Sequence, residues 1–198
     1  AKLMKDLTAA PDSLYMLKKL WRYKKQADGT ICITGYKGTE TEVTVPEKIG
    51  QGQVTAIADS AFSPDALRLT EKERTIRKAI QAVTIPNSVR QIEQDAFRNC
   101  VGLARVTLPE GLTSLEKGLF YGCGSLAGII IPGGVRKIEE CAFESCTALK
   151  TAALPDSLRE IGYMAFHYCD ALVSVTLPKK LRKIEAEAFS YSGLEEIT

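Results

Sequence analysis

The chain has 198 residues, of which 45% are apolar and 25% charged, a balance that belongs to a folded chain rather than a disordered one. A formal net charge of +2 gives no basis for nucleic-acid binding, and no run of about 18 or more apolar residues is present to insert into a membrane. One histidine and no paired CxxC cysteines leave no metal-ligand set, and nothing else calls for a cofactor.

Residues 1–42 read as an N-terminal cap. Pro11-Asp12-Ser13 precedes Leu14, Leu17, Leu20 and Trp21, a polar start followed by apolar residues three or four apart, as in a short helix. A basic helix suits a membrane surface. Covering the end of the domain is the favoured reading, because terminal units of repeat proteins need a cover. From Leu20 to Tyr36, Trp21 and Tyr23 alternate with Arg22 and Lys24, and Ile31 and Ile33 alternate again beyond Asp28-Gly29. That dipeptide tolerates positive φ, so this stretch reads as a β-hairpin covering the first rung of a repeat.

Residues 43–198 repeat one phrase. Val43-Thr44-Val45-Pro46 returns as Val83-Thr84-Ile85-Pro86, and Pro109, Pro132, Pro155 and Pro178 then come at steps of 23 residues. In the copy that begins at Leu103, Val106 and Leu108 lie two apart and share one face of a strand, while Arg105 and Thr107 face the other way. Pro109 has no N–H for the ladder and ends the strand. Leu112 and Leu115 line the return path, and Glu116 to Cys123 has apolar positions spaced like one or two helical turns. Phe62, Phe97, Phe120, Phe143, Phe166 and Phe189 recur in this last segment as its largest apolar groups. No such repeat buries its apolar face alone, so stacked copies must share one core. The expected architecture is a repeat solenoid with six strand rungs and the start of a seventh.

The first rung departs from the period. Pro46 and Pro86 are 40 residues apart, and most of the excess is an insertion at 63–82. Its charges, with Glu73 four residues before Arg77, suit a solvated helical excursion, and a binding or dimerisation element is the sharper alternative. Cys100, Cys123, Cys146 and Cys169 hold one repeat position, with Ser192 in the last copy. A position that accepts serine reads as a small buried side chain with a free thiol rather than half of an obligatory bridge. Arg90, Arg136, Arg159 and Arg182 form a column, as do Glu93, Glu116, Glu139 and Glu185. Stacked like charges call for a neighbouring column of opposite sign. At Glu195 to Thr198 a seventh strand is beginning. Either the chain continues there or another molecule covers the edge, and the second reading implies self-association through the C-terminal edge.

The phrase L-x-x-V-x-L-P-x-x-L-x-x-I-x-x-x-A-F-x-x-C, carried by Leu103, Val106, Leu108, Pro109, Leu112, Leu115, Phe120 and Cys123 and by its sister copies, resembles the leucine-rich repeats of the BspA-like family of bacterial proteins. The general leucine-rich pattern would place asparagine where Gly111 stands, and that departure also resembles the BspA type. The resemblance runs from about Tyr23 to the C-terminus. It implies a right-handed α/β-type superhelix with short parallel strands on the concave face, short helical turns on the convex face and the hairpin as its cap. It implies no catalytic residues, a location at the cell surface or outside the cell, and a binding role such as adhesion. The pattern gives no reason for Cys141, where other copies have Asp95, Gly118, Met164 and Glu187.

For function, His167 reads as a surface residue with no nucleophile motif near it, so the chain is not read as an enzyme. Solenoid strands present an extended binding surface. Its candidate contacts are Thr84, Arg105, Thr107, Ile130, Thr151, Ser174 and Thr176, small and weakly polar apart from Arg105 and Ile130, and suited to a protein or glycan partner. The alternative is an intracellular scaffold or self-assembling protein in the cytoplasm, which free thiols would also suit.

Overall fold

The computed structural model describes residues 11–197. Helix α1 (Pro11–Leu20) leads into a hairpin of β1 (Trp21–Lys25) and β2 (Ile31–Tyr36). The part of the N-terminal cap before Pro11 lies outside the described residues. Gly29, at φ +86°, makes the hairpin turn, and the Asp28 carboxylate accepts hydrogen bonds from the Thr30 N–H and hydroxyl. β2 then pairs in parallel with β5 (Gly52–Ile57), which pairs antiparallel with β4 (Lys48–Ile49) and in parallel with β7 (Gln91–Ile92). The hairpin thus extends one sheet of the first rung. Trp21, 2% exposed, packs 5.0 Å from Tyr36 and 6.1 Å from Phe62 and closes that end of the core.

Beyond it, the chain is a parallel-strand solenoid with three hydrogen-bonded faces. The first face holds β3 (Glu42–Thr44), β6 (Ala82–Thr84), β8 (Arg105–Thr107), β10 (Gly128–Ile130), β12 (Thr151–Ala153), β14 (Ser174–Val175) and β16 (Glu196–Ile197). Val43, Val83 and Val106 are in register, one per rung. The second face holds two-residue strands from β9 (Ser114–Leu115) through β11 (Lys137–Ile138) and β13 (Glu160–Ile161) to β15 (Lys183–Ile184). The last rung closes one residue early, so Ser174 pairs with Glu196.

The third, convex face is made of turns that never close into a helix. The N–H of Phe97, Phe120, Phe143 and Phe166 each donates across to the next rung, at 2.7–3.0 Å. Neighbouring N–H groups instead fold back, as Arg98 does on the Asp95 carbonyl. A helix would send every N–H along its own axis. Here alternate groups point sideways, which requires left-handed residues. Two columns supply them: Asp95, Gly118, Cys141, Met164 and Glu187, and Asn99, Gly122, Ser145, Tyr168 and Tyr191, all at φ between +53° and +69°. This accounts for Cys141, which holds a backbone position rather than a chemical one.

Sideways hydrogen bonding lets the convex face advance at nearly the strand spacing of about 4.8 Å. The phenylalanines form a continuous stack from Phe62 to Phe189, with centroids 4.8–5.4 Å apart. Phe62 through Phe166 are fully buried. Cys100, Cys123, Cys146 and Cys169 are buried beside them, unbridged, each thiol donating to a phenylalanine carbonyl one rung earlier at 3.1–3.3 Å.

Two electrostatic expectations change. The insertion contains helix α2 (Glu71–Lys78), capped by Thr70 with Glu73 closing the capping box. Glu73 pairs with Arg22 of the hairpin, not with Arg77. Arg77 is 1% exposed and donates to the carbonyls of Ser63 (2.7 Å) and Ser60 (3.2 Å). Its burial brings the guanidinium pKa down to about 10. The helix is therefore clamped to the cap and the first rung instead of standing off in solvent. The arginine and glutamate columns also do not pair with each other. Arg159 donates to the turn carbonyls of Asp156, Ser157 and Leu158, whereas Glu139 and Glu185 pair with Lys137 and Lys183 of their own rungs. The turns after Pro86 and Pro155 leave carbonyls that the guanidinium forks of Arg90 and Arg159 reach first.

Candidate functional site: the concave sheet

Alternation along each strand turns one residue inward and its neighbours outward. Val83 and Ile129 are buried, and Val106 and Ala152 pack against the core. The flanking residues form two outward rows, one through Ala82, Arg105, Gly128, Thr151 and Ser174, the other through Thr84, Thr107, Ile130, Ala153 and Thr176. All seven residues singled out from the sequence, Thr84, Arg105, Thr107, Ile130, Thr151, Ser174 and Thr176, are exposed on this one face.

They line two adjoining shallow grooves. The larger, about 770 Å³, runs from Glu42 and Thr44 past Thr84, Arg105 and Thr107 to Ile130 and Thr151. The smaller, about 580 Å³, holds Thr151, Ser174, Thr176 and Lys179. Ile130 is 80% exposed and is the one large apolar side chain in the outward rows. Beside it Gly128 keeps the floor low, since a Cβ there would sit 2.7 Å from the Thr151 hydroxyl.

The charged end of the groove was only half visible in the sequence. Arg105 donates to Glu42 at 3.1 Å, although the two strands are not neighbours. Ala82 lies between them in the sheet, paired with Glu42 on one side and Arg105 on the other. Its methyl group is short enough for the two long side chains to meet above it. Glu42 sits 63 residues before Arg105, and the insertion hides their shared phase. The signal was there in Glu42-Val43-Thr44, which aligns with Ala82-Val83-Thr84. Both side chains are about 70% exposed, so the bridge contributes at most about 1 kcal/mol and a partner can displace it.

Among the described residues no three of His, Cys, Asp and Glu converge as a metal ion requires, and no helix is long and apolar enough to cross a membrane. His167 lies away from these grooves and, contrary to the surface reading, is 6% exposed. It sits next to Phe166 on the convex turn, where Tyr168 and Tyr191 cover it at 4.2 and 5.4 Å.

Residues 75–195 match the model of the BspA type leucine-rich repeat region, in six copies. The chain belongs to this family. Among solved structures it is similar to a leucine-rich repeat protein of T. pallidum, at 33% identity over 84% of this chain and 79% of that one, with a TM-score of 0.71. A leucine-rich cell surface protein of Faecalibacterium prausnitzii shares 28% identity over 90% of this chain, with a TM-score of 0.64. The pneumococcal vaccine antigen PcpA, at 22% identity over 90% of this chain and a TM-score of 0.71, shares the fold. The chain spans about half of the latter two, 52% and 50% of their lengths. Among curated proteins, none matches.

Proposed function

We propose that this chain is a non-catalytic binding module that engages a protein or glycan partner through the concave sheet, in an adhesive role at a bacterial cell surface. The observation that carries this reading is the groove itself: small, weakly polar side chains along its length, Ile130 exposed at 80% at its centre, and the displaceable Arg105–Glu42 pair at its end. A floor of small residues allows close approach by a flat surface or an extended chain. One apolar anchor and one arginine supply specific contacts, and arginine is among the residues that dominate binding energetics at interfaces. Family membership and the surface protein of Faecalibacterium prausnitzii support the placement at the cell surface.

The test presents the chain to a glycan array and to a panel of purified extracellular proteins. The double variant Arg105→Glu with Ile130→Asp should lose the captures that wild type makes. Both changes sit on outward positions, so folding should be unaffected. Unchanged capture by the double variant would overturn the assignment to this face. Surface labelling of intact cells with an antibody to the chain tests the location separately.

A further inference from the structure

A second surface stands out on the convex side of the last three rungs, away from the concave grooves. Tyr163, Tyr168 and Tyr191 are 37%, 44% and 70% exposed there, while Phe143 and Phe166 of the same rungs are fully buried. Tyr168 and Tyr191 stack on one another, with centroids 5.0 Å apart and planes 18° apart. Both are held at left-handed φ, +54° and +53°, a conformation that penalises bulky residues and that earlier rungs fill with Asn99, Gly122 and Ser145. Backbone geometry alone therefore does not ask for tyrosine here, and neither does the core.

Charge around the tyrosines is one-sided. The convex segments 139–148, 162–171 and 185–194 contain six carboxylates and no lysine or arginine. Lysines of neighbouring segments neutralise Glu139, Glu140 and Glu185. Glu144, Asp170 and Glu187 have no lysine or arginine against them among the described residues. Glu144 lies 3.8 Å from His167 Nδ1. Beneath the tyrosines, His167 is 94% removed from solvent with neither ring nitrogen hydrogen-bonded. The floor of the patch thus carries unsatisfied polar capacity that a protein interior normally avoids.

The chain itself displays the chemistry that completes such a surface. On the earlier rungs the Arg98 guanidinium lies 3.8 Å from the centroid of the Tyr121 ring and 3.3 Å from the Asp95 carboxylate. A cation there satisfies a ring face and a carboxylate together. The later rungs carry rings and carboxylates of their own, at other repeat positions: Glu144 stands in the column of Tyr121, and Tyr168 and Tyr191 in that of Asn99. We propose that this convex patch binds an arginine-bearing segment of a partner polypeptide, whose guanidinium groups meet the Tyr168 ring and the Glu144 carboxylate with the same chemistry by which Arg98 meets Tyr121 and Asp95.

The test titrates the full chain with a labelled, end-capped (Gly-Arg)4 peptide and reads fluorescence polarisation. Tyr168→Ser should weaken binding roughly fivefold and Tyr168→Phe should retain it, since the ring face rather than the hydroxyl attracts the cation. Ser145 already holds the same position one rung earlier, so the serine variant should fold. Glu144→Gln, which keeps the shape of a side chain that is 15% exposed, should weaken binding independently. An end-capped (Gly-Gln)4 peptide should not bind, and the concave variant Arg105→Glu with Ile130→Asp should bind (Gly-Arg)4 as wild type does. Equal affinity of wild type, Tyr168→Ser and Glu144→Gln would overturn the proposal, as would loss of binding in the concave variant. Self-association in sedimentation that disappears with Tyr168→Ser would assign the patch to a second copy and also overturn it.

Discussion

The thiol of Cys146 donates to the carbonyl oxygen of Phe120, 26 residues earlier and one rung away, at 3.2 Å. The same bond recurs from Cys100, Cys123 and Cys169. A small side chain that is apolar enough for the core, yet carries one weak donor, fits this position better than alanine or valine. Burial pushes the thiols of Cys100 and Cys169 up to about 12 and also raises those of Cys123 and Cys146 well above the ordinary value. Thiolate is the reactive form, so these four should resist Ellman's reagent at pH 8 in the native chain and react together on unfolding in urea. Rapid stoichiometric labelling before unfolding would contradict their placement.

The same shifts give stability a pH dependence. A thiol whose folded pKa is raised above its unfolded value of about 9 holds its proton more tightly when folded. Its contribution is complete below pH 9 and is lost as pH rises from about 9 towards 12. Urea midpoints should therefore fall across that window. Replacing Cys100 and Cys169 with alanine should make the fall shallower, even though both variants are less stable at pH 7.

The phenylalanine stack gives a graded test of the shared core. Phe143 is fully buried between Phe120 and Phe166, at 5.4 and 5.1 Å. Phe143→Ala should cost about 3–5 kcal/mol in chemical denaturation. Phe189 packs against the cluster while only partly buried, and Phe189→Ala should cost less.

Left-handed positions predict opposite signs for two substitutions at one site. Met164 has φ +53°, and Gly118 holds the equivalent position two rungs earlier. Met164→Gly should stabilise the chain by about 0.5–1 kcal/mol, because glycine enters this region without steric cost. Met164→Val should destabilise it, since a β-branched residue tolerates positive φ least. Thermal melts of the pair compare them directly.

Arg77 should prove irreplaceable by lysine. Its planar fork serves the Ser60 and Ser63 carbonyls from inside the fold, and an ammonium cannot reproduce that geometry. Arg77→Lys and Arg77→Met should each lose about 2–3 kcal/mol. Limited proteolysis should then cut first within residues 63–82, because the clamp between helix α2 and the first rung is what holds that segment down.

Legibility in the sequence depends on how far repetition reaches. Periodic residues act on neighbours one rung away, and stacking converts a step of 23 residues into a step of one strand. The strands, the phenylalanine column, the buried cysteines and the outward rows of the concave face were readable for that reason. Contacts between unlike parts of the chain were not. Glu42 meets Arg105 across Ala82, Glu73 meets Arg22, and Arg77 turns inward, each because the insertion and the cap fold back on the first rung in a way that no period specifies. The convex segment kept its apolar spacing but not its helix, since hydrogen bonds to the next rung compete with those along the chain and win where left-handed residues recur. Repetition in the residues alone determined which side chains share the interior. Tertiary packing decided how the interruptions dock and which aromatic rings are left facing water, because both depend on distances between segments far apart in the chain.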